Sequence, residues 1–367
     1  MRILFITRHF NHSGYIILNR LIKEKFNIIA IVLHKTSDTW LNPIIKYFNI
    51  LWYKFKCFYY NCEPLKNIKS EKDLAKRHRI KILWTETIKS DSFYYDLKKL
   101  NPDIIVLGGG WHELIPERVF LFPHLGCLNT HPSLLPEFRG TSITRWQLLF
   151  GLEKTGSTIH YVDENFDTGG ILAQASFVIP DNATPQYLFK LLGNIGADLI
   201  VPLLKKFEEE GRQPSINLSH NSKYSNYYSR WVWSLNSLKI NWMNNFHSIH
   251  FHVLANTQES YEYLGPYFTY NNHRYFLRKT KLFSIKEHGS LLKHSPNNYE
   301  RKIIVIEIGP QGEIFLYRKD EDYILVLCQI QKFDRLYKIR RAYSANKILK
   351  LKICDHLHFE EYFNEKN

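Results

Sequence analysis

The chain has 367 residues, 44% of them hydrophobic, which is typical of a globular protein with one large or two medium domains. Its five cysteines are odd in number and scattered, which argues against a disulfide framework and against a zinc site. The formal net charge of +14 favours a phosphate-bearing partner, such as a nucleotide-linked substrate, tRNA or anionic lipid, although a lysine-rich composition explains it equally well.

The N-terminal part of the chain alternates strand-like and helix-like segments. Helical periodicity at Tyr15–Lys25 follows the first apolar run. Strands are predicted at Arg2–Thr7, Phe26–Leu33, Ile80–Leu83, Ile104–Leu107 and Cys127–Thr130. This alternation indicates an α/β fold with a mostly parallel sheet built from βαβ units. Polar residues that follow these strands are candidates for chemistry, because such sheets bind ligands at the carboxyl ends of their strands.

An aromatic segment, Trp40–Tyr60, interrupts this alternation and carries interspersed lysines. We interpret it as a helix packed on the domain or in a subunit interface, and the alternative is a surface that touches a membrane. No unbroken apolar stretch reaches the roughly 20 residues that a bilayer requires. The start, Met1–Ile6, reads as a strand and not as a signal peptide, so we expect a cytoplasmic protein.

The C-terminal part has a different pattern. The last helix before it, predicted at residues 180–210, has Thr184 as a candidate cap and Pro185 at its first position. A hairpin signal at Asn271–His273 and several aromatic strands predict a small β-rich domain, for which we expect an OB-like barrel. The predicted organisation is a catalytic domain at 1–210, a linker or junction at 211–244, the β-rich domain at 245–340 and an extension at 341–367.

The residues with the clearest chemical potential are an amide, an imidazole and a carboxylate. Asn129 can donate two N–H bonds to a developing oxyanion, and His131 can supply a proton or a charged hydrogen bond. Pro132 restricts His131 to an extended backbone. Asp167 lies in a loop that can bring its carboxylate against the imidazole, which would raise the histidine pKa and fix its tautomer. Together these groups can polarise a carbonyl and manage one proton.

Gly108–Gly110 directly follows another predicted strand. It is not a dinucleotide-binding fingerprint, because the spacing G-x-G-x-x-G is absent. Glycines at this point allow a ligand to approach the backbone closely. His112 and Glu113 come next, but no second histidine stands at helical spacing, so we predict no metal site.

Several motif blocks recur in a known order. They are Asn129-x-His131-Pro132-Ser133-Leu134-Leu135-Pro136-x-Phe138-Arg139-Gly140, then Thr155-Gly156, then Val162 with Asp167 and Gly169. This series resembles the formyltransferases that use 10-formyltetrahydrofolate, a superfamily that modifies methionyl-tRNA, glycinamide ribonucleotide or nucleotide sugars. The likeness runs from about Pro102 to Gln174. It implies a Rossmann-like catalytic domain in which Asn129, His131 and Asp167 are the catalytic residues.

The resemblance also implies a co-substrate and a reaction. The folate would lie against two loops, which supply Leu107, Gly108, Gly109, Gly110, Trp111 and Ile115, and Val162, Asp163, Glu164, Asn165 and Phe166. A neutral amine would attack the formyl carbon of 10-formyltetrahydrofolate while Asn129 and protonated His131 stabilise the oxyanion. Asp167 would orient and charge His131 and would be able to receive a proton through water, and the reaction would need no metal and no covalent enzyme intermediate.

The acceptor amine is the open question. Residues 225–335 resemble the junction and barrel of methionyl-tRNA formyltransferase, but a similar layout occurs in an enzyme that formylates a uridine-linked aminoarabinose. Three features differ from the tRNA branch: the turn Arg8–Gly14, the residues after Gly140, and the loop around His34–Leu41. We therefore predict N-formylation of an amino sugar on dTDP, UDP or GDP, for surface polysaccharides such as a lipopolysaccharide O-antigen.

Alternatives remain for the acceptor and for single residues. Methionyl-tRNA formylation is the second candidate, followed by a binding or scaffold role and by hydrolysis of formyl-folate. Arg139 and Arg145 are predicted to contact the diphosphate or another part of the substrate, although a carboxylate partner within the fold would explain each of them. The expected partners are a small nucleotide sugar and a second copy of the chain in a homodimer.

Overall fold

The computed structural model describes residues 1–9, 11–34, 70–216, 224–232, 234–257, 265–270, 273–288, 303–308, 311–319, 321–332, 343–344 and 357–358. The aromatic segment Trp40–Tyr60, the tip of the predicted hairpin and most of the predicted extension 341–367 lie outside the described residues.

The N-terminal domain alternates strands and helices along the chain. In order these are β1 (Arg2–Thr7), α1 (His12–Lys23), β2 (Asn27–His34), α2 (Glu71–Arg77), β3 (Lys81–Thr85), α3 (Asp91–Leu100), β4 (Ile104–Leu107), α4 (Glu117–Phe120) and β5 (Cys127–His131). They are followed by β6 (Arg139–Gly140), α5 (Ile143–Leu149), β7 (Lys154–Tyr161), β8 (Ile171–Val178) and α6 (Pro185–Glu210).

Seven of these strands form one sheet, in the order β3-β2-β1-β4-β5-β7-β8. The first five strands in this order, β3-β2-β1-β4-β5, pair in parallel. Strand β7 pairs antiparallel with both β5 and β8. The predicted α/β fold with a mostly parallel sheet is therefore confirmed. The chain winds outward from β1 in one direction and then from β4 in the other, so the crevice at the carboxyl ends of β1 and β4 is the expected ligand site.

Helix α6 fixes the strand that carries the candidate catalytic residues. The Thr184 side chain accepts a hydrogen bond from the backbone N–H of Tyr187, and Pro185 occupies the first turn, as the sequence predicts. A Cβ on Gly196 would lie 2.4 Å from Cγ2 of Thr130, so only glycine allows this close approach of α6 to β5.

By length and composition alone, α6 is the one helix within the described ranges that could cross a membrane. The buried residues of its C-terminal half, however, belong to the main core of the domain. Ile200 and Leu204 pack with Ile17 and Leu21 of α1 and with the sheet, as in the core helix of a globular domain. Leu188 and Leu192 of its first half pack in a second cluster with Leu148 of α5. Polar residues occur along α6, so its sequence contains no long unbroken apolar run.

The C-terminal part is a β-rich domain, as predicted. Its elements are β9 (Tyr227–Tyr228), α7 (Leu235–Leu238), α8 (Phe246–Asn256), β10 (Tyr267–Tyr270), β11 (His273–Ser284), α9 (Ile285–His288), β12 (Ile303–Ile308), β13 (Ile314–Tyr317), β14 (Tyr323–Lys332), β15 (Tyr343–Ser344) and β16 (Leu357–His358). An antiparallel sheet runs β10-β11-β14-β13-β12-β16, with β15 beside β14. The pairings between described strands do not include one that closes the expected barrel.

Helix α8 joins the two domains. It packs on α5 and α6 of the N-terminal domain and on β11 and β14 of the C-terminal domain. At its end the carbonyl of Ala255 accepts a hydrogen bond from Nη1 of Arg145, a buried residue of α5. Burial lowers the pKa of Arg145 to about 10, so it retains its charge at neutral pH while it satisfies the last turn of α8.

We expect Arg145→Met to destabilise the protein, because the side chain keeps similar length but no longer donates to the buried Ala255 carbonyl. The free energy of unfolding should fall by about 1–3 kcal/mol, measured by urea denaturation. Arg77→Met, on the exposed face of α2, is the matched control and should change it little. Equal stability of the two variants would contradict this role of Arg145.

Candidate active site

The candidate site begins at the carboxyl end of β5. Asn129 and His131 are two residues apart on this strand, so their side chains project from the same face. The antiparallel register of β5 and β7 sets His160 directly opposite Asn129. The structure thus adds a second histidine, which the sequence analysis misses because its place depends on this strand pairing.

The turn after β5 holds the His131 ring. Nε2 of His131 lies 2.8 Å from the carbonyl oxygen of Phe138 and donates to it, because a carbonyl can only accept. Thr158 Oγ1 donates to the Ser133 carbonyl at 2.6 Å and accepts from the Leu135 N–H at 3.1 Å, which ties the turn to β7. His131 is therefore fixed on one side by a rigid turn.

Asp167, in the loop between β7 and β8, holds the other side. Its Oδ1 lies 3.3 Å from Nδ1 of His131 and 3.1 Å from Nδ2 of Asn129, and its Oδ2 accepts from the Gly140 N–H at 2.8 Å. The backbone of Asp167 is left-handed, with φ +57°, a conformation that Asp tolerates better than most residues. The structure brings Asn129, His131 and Asp167 into direct contact.

The Asp167–His131 contact is an ion pair. Burial alone would raise the pKa of Asp167, but the charge and hydrogen bond of His131 outweigh it and hold this pKa well below the ordinary carboxyl value. Burial alone would lower the pKa of His131, but Asp167 and the Phe138 carbonyl more than offset it, so the pKa of His131 is raised. Both shifts therefore favour a buried imidazolium beside a carboxylate.

The orientation of the Asn129 amide follows from its neighbours. Its nitrogen, not its oxygen, must face the carboxylate of Asp167, because two oxygens would repel each other. The same nitrogen lies 3.1 Å from Nε2 of His160, and Nδ1 of His160 donates to the Tyr161 carbonyl at 2.7 Å. Nε2 of His160 also lies 3.7 Å from Oδ1 of Asp167, so the Asn129 amide nitrogen is held between the imidazole and the carboxylate.

These groups lie in the wall of a cavity of about 690 Å³, within the size range of small-ligand sites. Of the residues predicted to contact folate, those that line it are Leu107, Gly109, Gly110, Trp111, Ile115, Val162, Asp163, Asn165 and Phe166. Gly108 instead packs on the core, since its Cβ would lie 2.2 Å from Cζ of Phe5. Glu164 lines a neighbouring cavity of about 340 Å³ with Lys89.

Arg139 and Arg145 lie elsewhere. Nε and Nη2 of Arg139 donate to the Ser225 carbonyl at 3.2 and 3.0 Å, and Arg145 binds the Ala255 carbonyl. Neither side chain is in the wall of the cavity. Their predicted contact with substrate finds no support in these positions, because each guanidinium is already engaged in holding the fold together.

The segment that the sequence predicts as a linker supplies part of the wall. β9 pairs in parallel with β6, and Tyr227, Ser229 and Arg230 line the cavity. The Tyr227 ring lies 5.7 Å from that of Phe166, in a tilted arrangement. The polar composition of the segment gives no hint of this position, which depends on contact with the turn after β5.

A metal would need a cluster of suitable ligands. Among the residues that the structure describes, no three His, Cys, Asp or Glu side chains form such a group.

Comparison with known sequences points to one family. Residues 64–201 match the family model described as Formyl transferase. The methionyl-tRNA formyltransferase of Syntrophus aciditrophicus is 40% identical over 134 residues, which are 36% of this chain and 43% of that protein. The one of Caldanaerobacter subterraneus is 34% identical over 155 residues, or 42% and 50%. The chain thus spans about half the length of these curated relatives.

Solved structures share the fold across both domains. The N-formyltransferase from Helicobacter canadensis, solved with folinic acid and dTDP-3-aminofucose, superposes with a TM-score of 0.60 at 19% identity, covering 91% of this chain and all of that one. The sugar 3N-formyltransferase WlaRD, solved with dTDP and 5-N-formyl-THF, gives 0.57 at 19% identity, covering 91% and 99%. At this identity the likeness shows the fold.

The ion pair predicts a measurable pKa change. Asp167→Asn keeps the size and the left-handed backbone but removes the charge, so burial should then dominate and the pKa of His131 should fall below its ordinary value of about 6.5. Histidine NMR titration measures this, and Asp163→Asn in the same loop is the matched control. An unchanged His131 titration in Asp167→Asn would contradict the ion pair.

The same pair predicts how stability depends on pH. The contribution of Asp167, whose pKa is lowered, is present above about pH 4 and is lost as the pH falls through its folded pKa. The contribution of His131, whose pKa is raised, is fully present below about pH 6.5 and is lost as the pH rises through its folded pKa. The stability difference between wild type and Asp167→Asn should therefore shrink at both extremes of pH, which denaturation across pH would measure.

Proposed function

We propose, from the membership of residues 64–201 in the formyltransferase family, that the protein transfers a formyl group from 10-formyltetrahydrofolate to an amine. The observation that carries this proposal is the convergence of two N–H donors, Asn129 Nδ2 and His131 Nδ1, on one oxygen of Asp167 in the cavity wall. Donors fixed in this way suit a carbonyl oxygen that gains negative charge during acyl transfer.

The cavity fits the folate. Its wall includes Leu107, Ile115 and Val162, which offer apolar contact to the faces of a flat bicyclic ring. Gly109 and Gly110 have φ of +90° and +74°, and their lack of side chains exposes backbone groups to the ring edge. When bound, 10-formyltetrahydrofolate would supply an activated formyl carbon.

The protein's part in the reaction is to hold charge and direct a proton. Asn129 Nδ2 and His131 Nδ1 both donate to Asp167 Oδ1 in the free site, so these bonds would be shared with or redirected to the formyl oxygen as the amine attacks, while the adjacent Asp167 carboxylate keeps His131 charged. Asp167 is a weak base because its pKa is far below the ordinary value, so its role is electrostatic and not the proton-accepting one that the resemblance implies. The proton that the amine loses ends on the nitrogen that releases the formyl group, so the net reaction neither consumes nor releases a proton.

For the acceptor we propose an amino sugar carried on a nucleoside diphosphate, used for surface polysaccharides. Support comes from the shared fold across both domains with formyltransferases whose complexes contain dTDP or a dTDP-sugar. Methionyl-tRNA is the second candidate, since the sequence relatives at 40% and 34% identity act in that branch. The structural similarity to the sugar formyltransferases covers 91% of this chain at 19% identity. The sequence similarity to the first methionyl-tRNA formyltransferase has a higher identity, 40%, but covers only 36% of this chain.

We place the reaction in the cytoplasm and expect a homodimer. The described cysteines, Cys127 and Cys328, are free and buried, which agrees with a reducing compartment. Sedimentation at several protein concentrations would test the dimer, and a single species with the mass of one chain throughout would refute it.

The activity is tested with purified protein, 10-formyltetrahydrofolate and two classes of acceptor. The acceptors are a panel of dTDP-, UDP- and GDP-linked amino sugars and, in parallel, methionyl-tRNA, with the products weighed by mass spectrometry. We expect one sugar to gain a formyl group and the tRNA to stay unmodified. If the tRNA is formylated and no sugar is, methionyl-tRNA replaces the amino sugar as the acceptor. The absence of both formyl transfer and folate binding would refute the proposal.

We expect the side-chain donors Asn129 and His131 to be necessary for most of the rate of formyl transfer. Asn129→Ala and His131→Ala should each lower kcat by about 10²-fold or more, because each removes a fixed donor from the developing charge. Asn194→Ala, whose amide bonds its own helix α6 at Lys190, is the matched control and should act as wild type. Circular dichroism confirms folding, and near-normal turnover in either site variant would argue against the mechanism.

A further inference from the structure

One end of the cavity is strongly basic. We call it the basic end, and it consists of Arg8, His34, Trp111, His112 and Arg230. These residues come from the ends of β1 and β2, from the loop after β4 and from the segment after β9. Four separate parts of the chain therefore place cationic or N–H-bearing side chains around one space, in the same cavity as Asn129 and Asp167.

The acidic residues of the cavity wall are already engaged. Glu113 accepts from the Ile88 N–H at 3.2 Å, and Asp163 accepts from Thr168 Oγ1 at 2.7 and 2.8 Å. Asp167 holds the donors described above. In the part of the chain that the structure describes, by contrast, neither the Arg8 nor the Arg230 guanidinium forms a hydrogen bond or an ion pair, and both are exposed. Among the described residues, the cavity wall thus offers two guanidinium groups without a carboxylate to match them.

Two ring nitrogens at the basic end also lack partners. Nδ1 of His34 and Nε1 of Trp111 are buried and have no hydrogen bond within the described residues. The rings of His34 and Trp111 meet edge to face at 5.6 Å, and those of His34 and His112 at 4.6 Å. The indole N–H can only donate, and a buried donor normally has an acceptor. An oxygen-rich ligand in this space would provide it.

The charges act on His112. Burial, followed by His34, lowers the pKa of His112, and Arg8 and Arg230 lower it further although Glu113 opposes them. Both arginines are thus electrostatically coupled to one imidazole. This agrees with a positive potential at the basic end that attracts an anion.

The backbone that carries Arg8 is held in place. The Asn11 N–H donates to Oε1 of the fully buried Glu71 at 2.8 Å, and Thr7 Oγ1 donates to the Gly109 carbonyl at 3.1 Å. The loop after β1 is therefore anchored to both α2 and the glycine turn after β4. Such anchoring lowers the entropy cost of binding a ligand to Arg8.

We propose that the basic end binds the diphosphate of the acceptor, with the guanidinium groups of Arg8 and Arg230 as its main contacts. A guanidinium matches phosphate oxygens bidentately, and the Trp111 N–H adds a neutral donor. The basic end and Asn129 line the same cavity, as binding of one acceptor molecule to both would require. The inference rests on the proposed function for the identity of the acceptor, and its binding test needs no formyl transfer.

The test measures binding of UDP, dTDP and GDP to the full chain by isothermal titration calorimetry, with uridine, thymidine and guanosine as probes without phosphate. We expect at least one diphosphate to bind about 10-fold or more tightly than its nucleoside and to weaken with added salt. Arg8→Gln and Arg230→Gln should each weaken diphosphate binding by about 10-fold or more. Arg77→Gln removes the same charge from the exposed face of α2 and should leave it within about 2-fold.

The outcomes separate this inference from the proposed function. Binding of folinic acid by every variant shows that the cavity is intact, so a selective loss of diphosphate affinity supports the inference. Diphosphate affinity unchanged in both variants, or no diphosphate bound by the wild type, overturns it. Formyl transfer to methionyl-tRNA by a wild type that binds no diphosphate would overturn the inference and leave the formyltransferase activity standing. If the wild type binds a diphosphate, both variants lose that affinity and no acceptor is formylated, the inference stands and the proposed function falls.

Discussion

The geometry of the site depends on the ion pair and hydrogen bonds that the buried Asp167 carboxylate accepts. It collects three donors, from Asn129, His131 and the backbone of Gly140, in a place where an unpaired charge would be costly. Because the carboxylate stays ionised, it draws the His131 proton into the site and fixes which end of the Asn129 amide faces it. The protonation state and the geometry of all three side chains therefore follow from one buried charge.

Several elements of the fold hold the groups that surround this carboxylate in place. The strand pairing of β5 and β7 sets His160 beside Asn129, and α6 presses on the back of β5 where Gly196 leaves room. The turn after β5 closes on His131 through the Phe138 carbonyl. A displacement of any of these elements would leave a buried donor or acceptor without its partner, so the packing of the domain and the chemistry of the site are coupled.

The cavity wall combines apolar and cationic side chains. Leu107, Ile115 and Val162 are apolar, whereas Arg8 and Arg230 carry positive charge. Asn129, His131 and Asp167 lie in the same wall, an arrangement that agrees with the proposed meeting of a flat, largely apolar donor with an anionic acceptor. Arg230 comes from the segment that connects the two domains, so under this proposal the connection would help to define which acceptor the cavity can hold.

The class of fold and the candidate chemical residues can be predicted from the sequence alone. Short apolar strands separated by helices favour a parallel sheet, and the ordered motif around Asn129, His131 and Asp167 predicts a carbonyl-polarising site. The alternation along β5 sets Asn129 and His131 on one face. These predictions depend on spacing within one strand or on the order of the motif blocks along the chain.

The long-range contacts, in contrast, follow from how the folded elements pack against one another. The place of His160 depends on a strand register, and that of Arg230 on a segment whose polar composition is typical of a linker. Arg139 and Arg145 read as anion contacts in the sequence, but backbone carbonyls of distant residues take their guanidinium groups. An arginine binds a ligand or a carbonyl with the same donors, so its role is set by which acceptor the folded chain brings within reach.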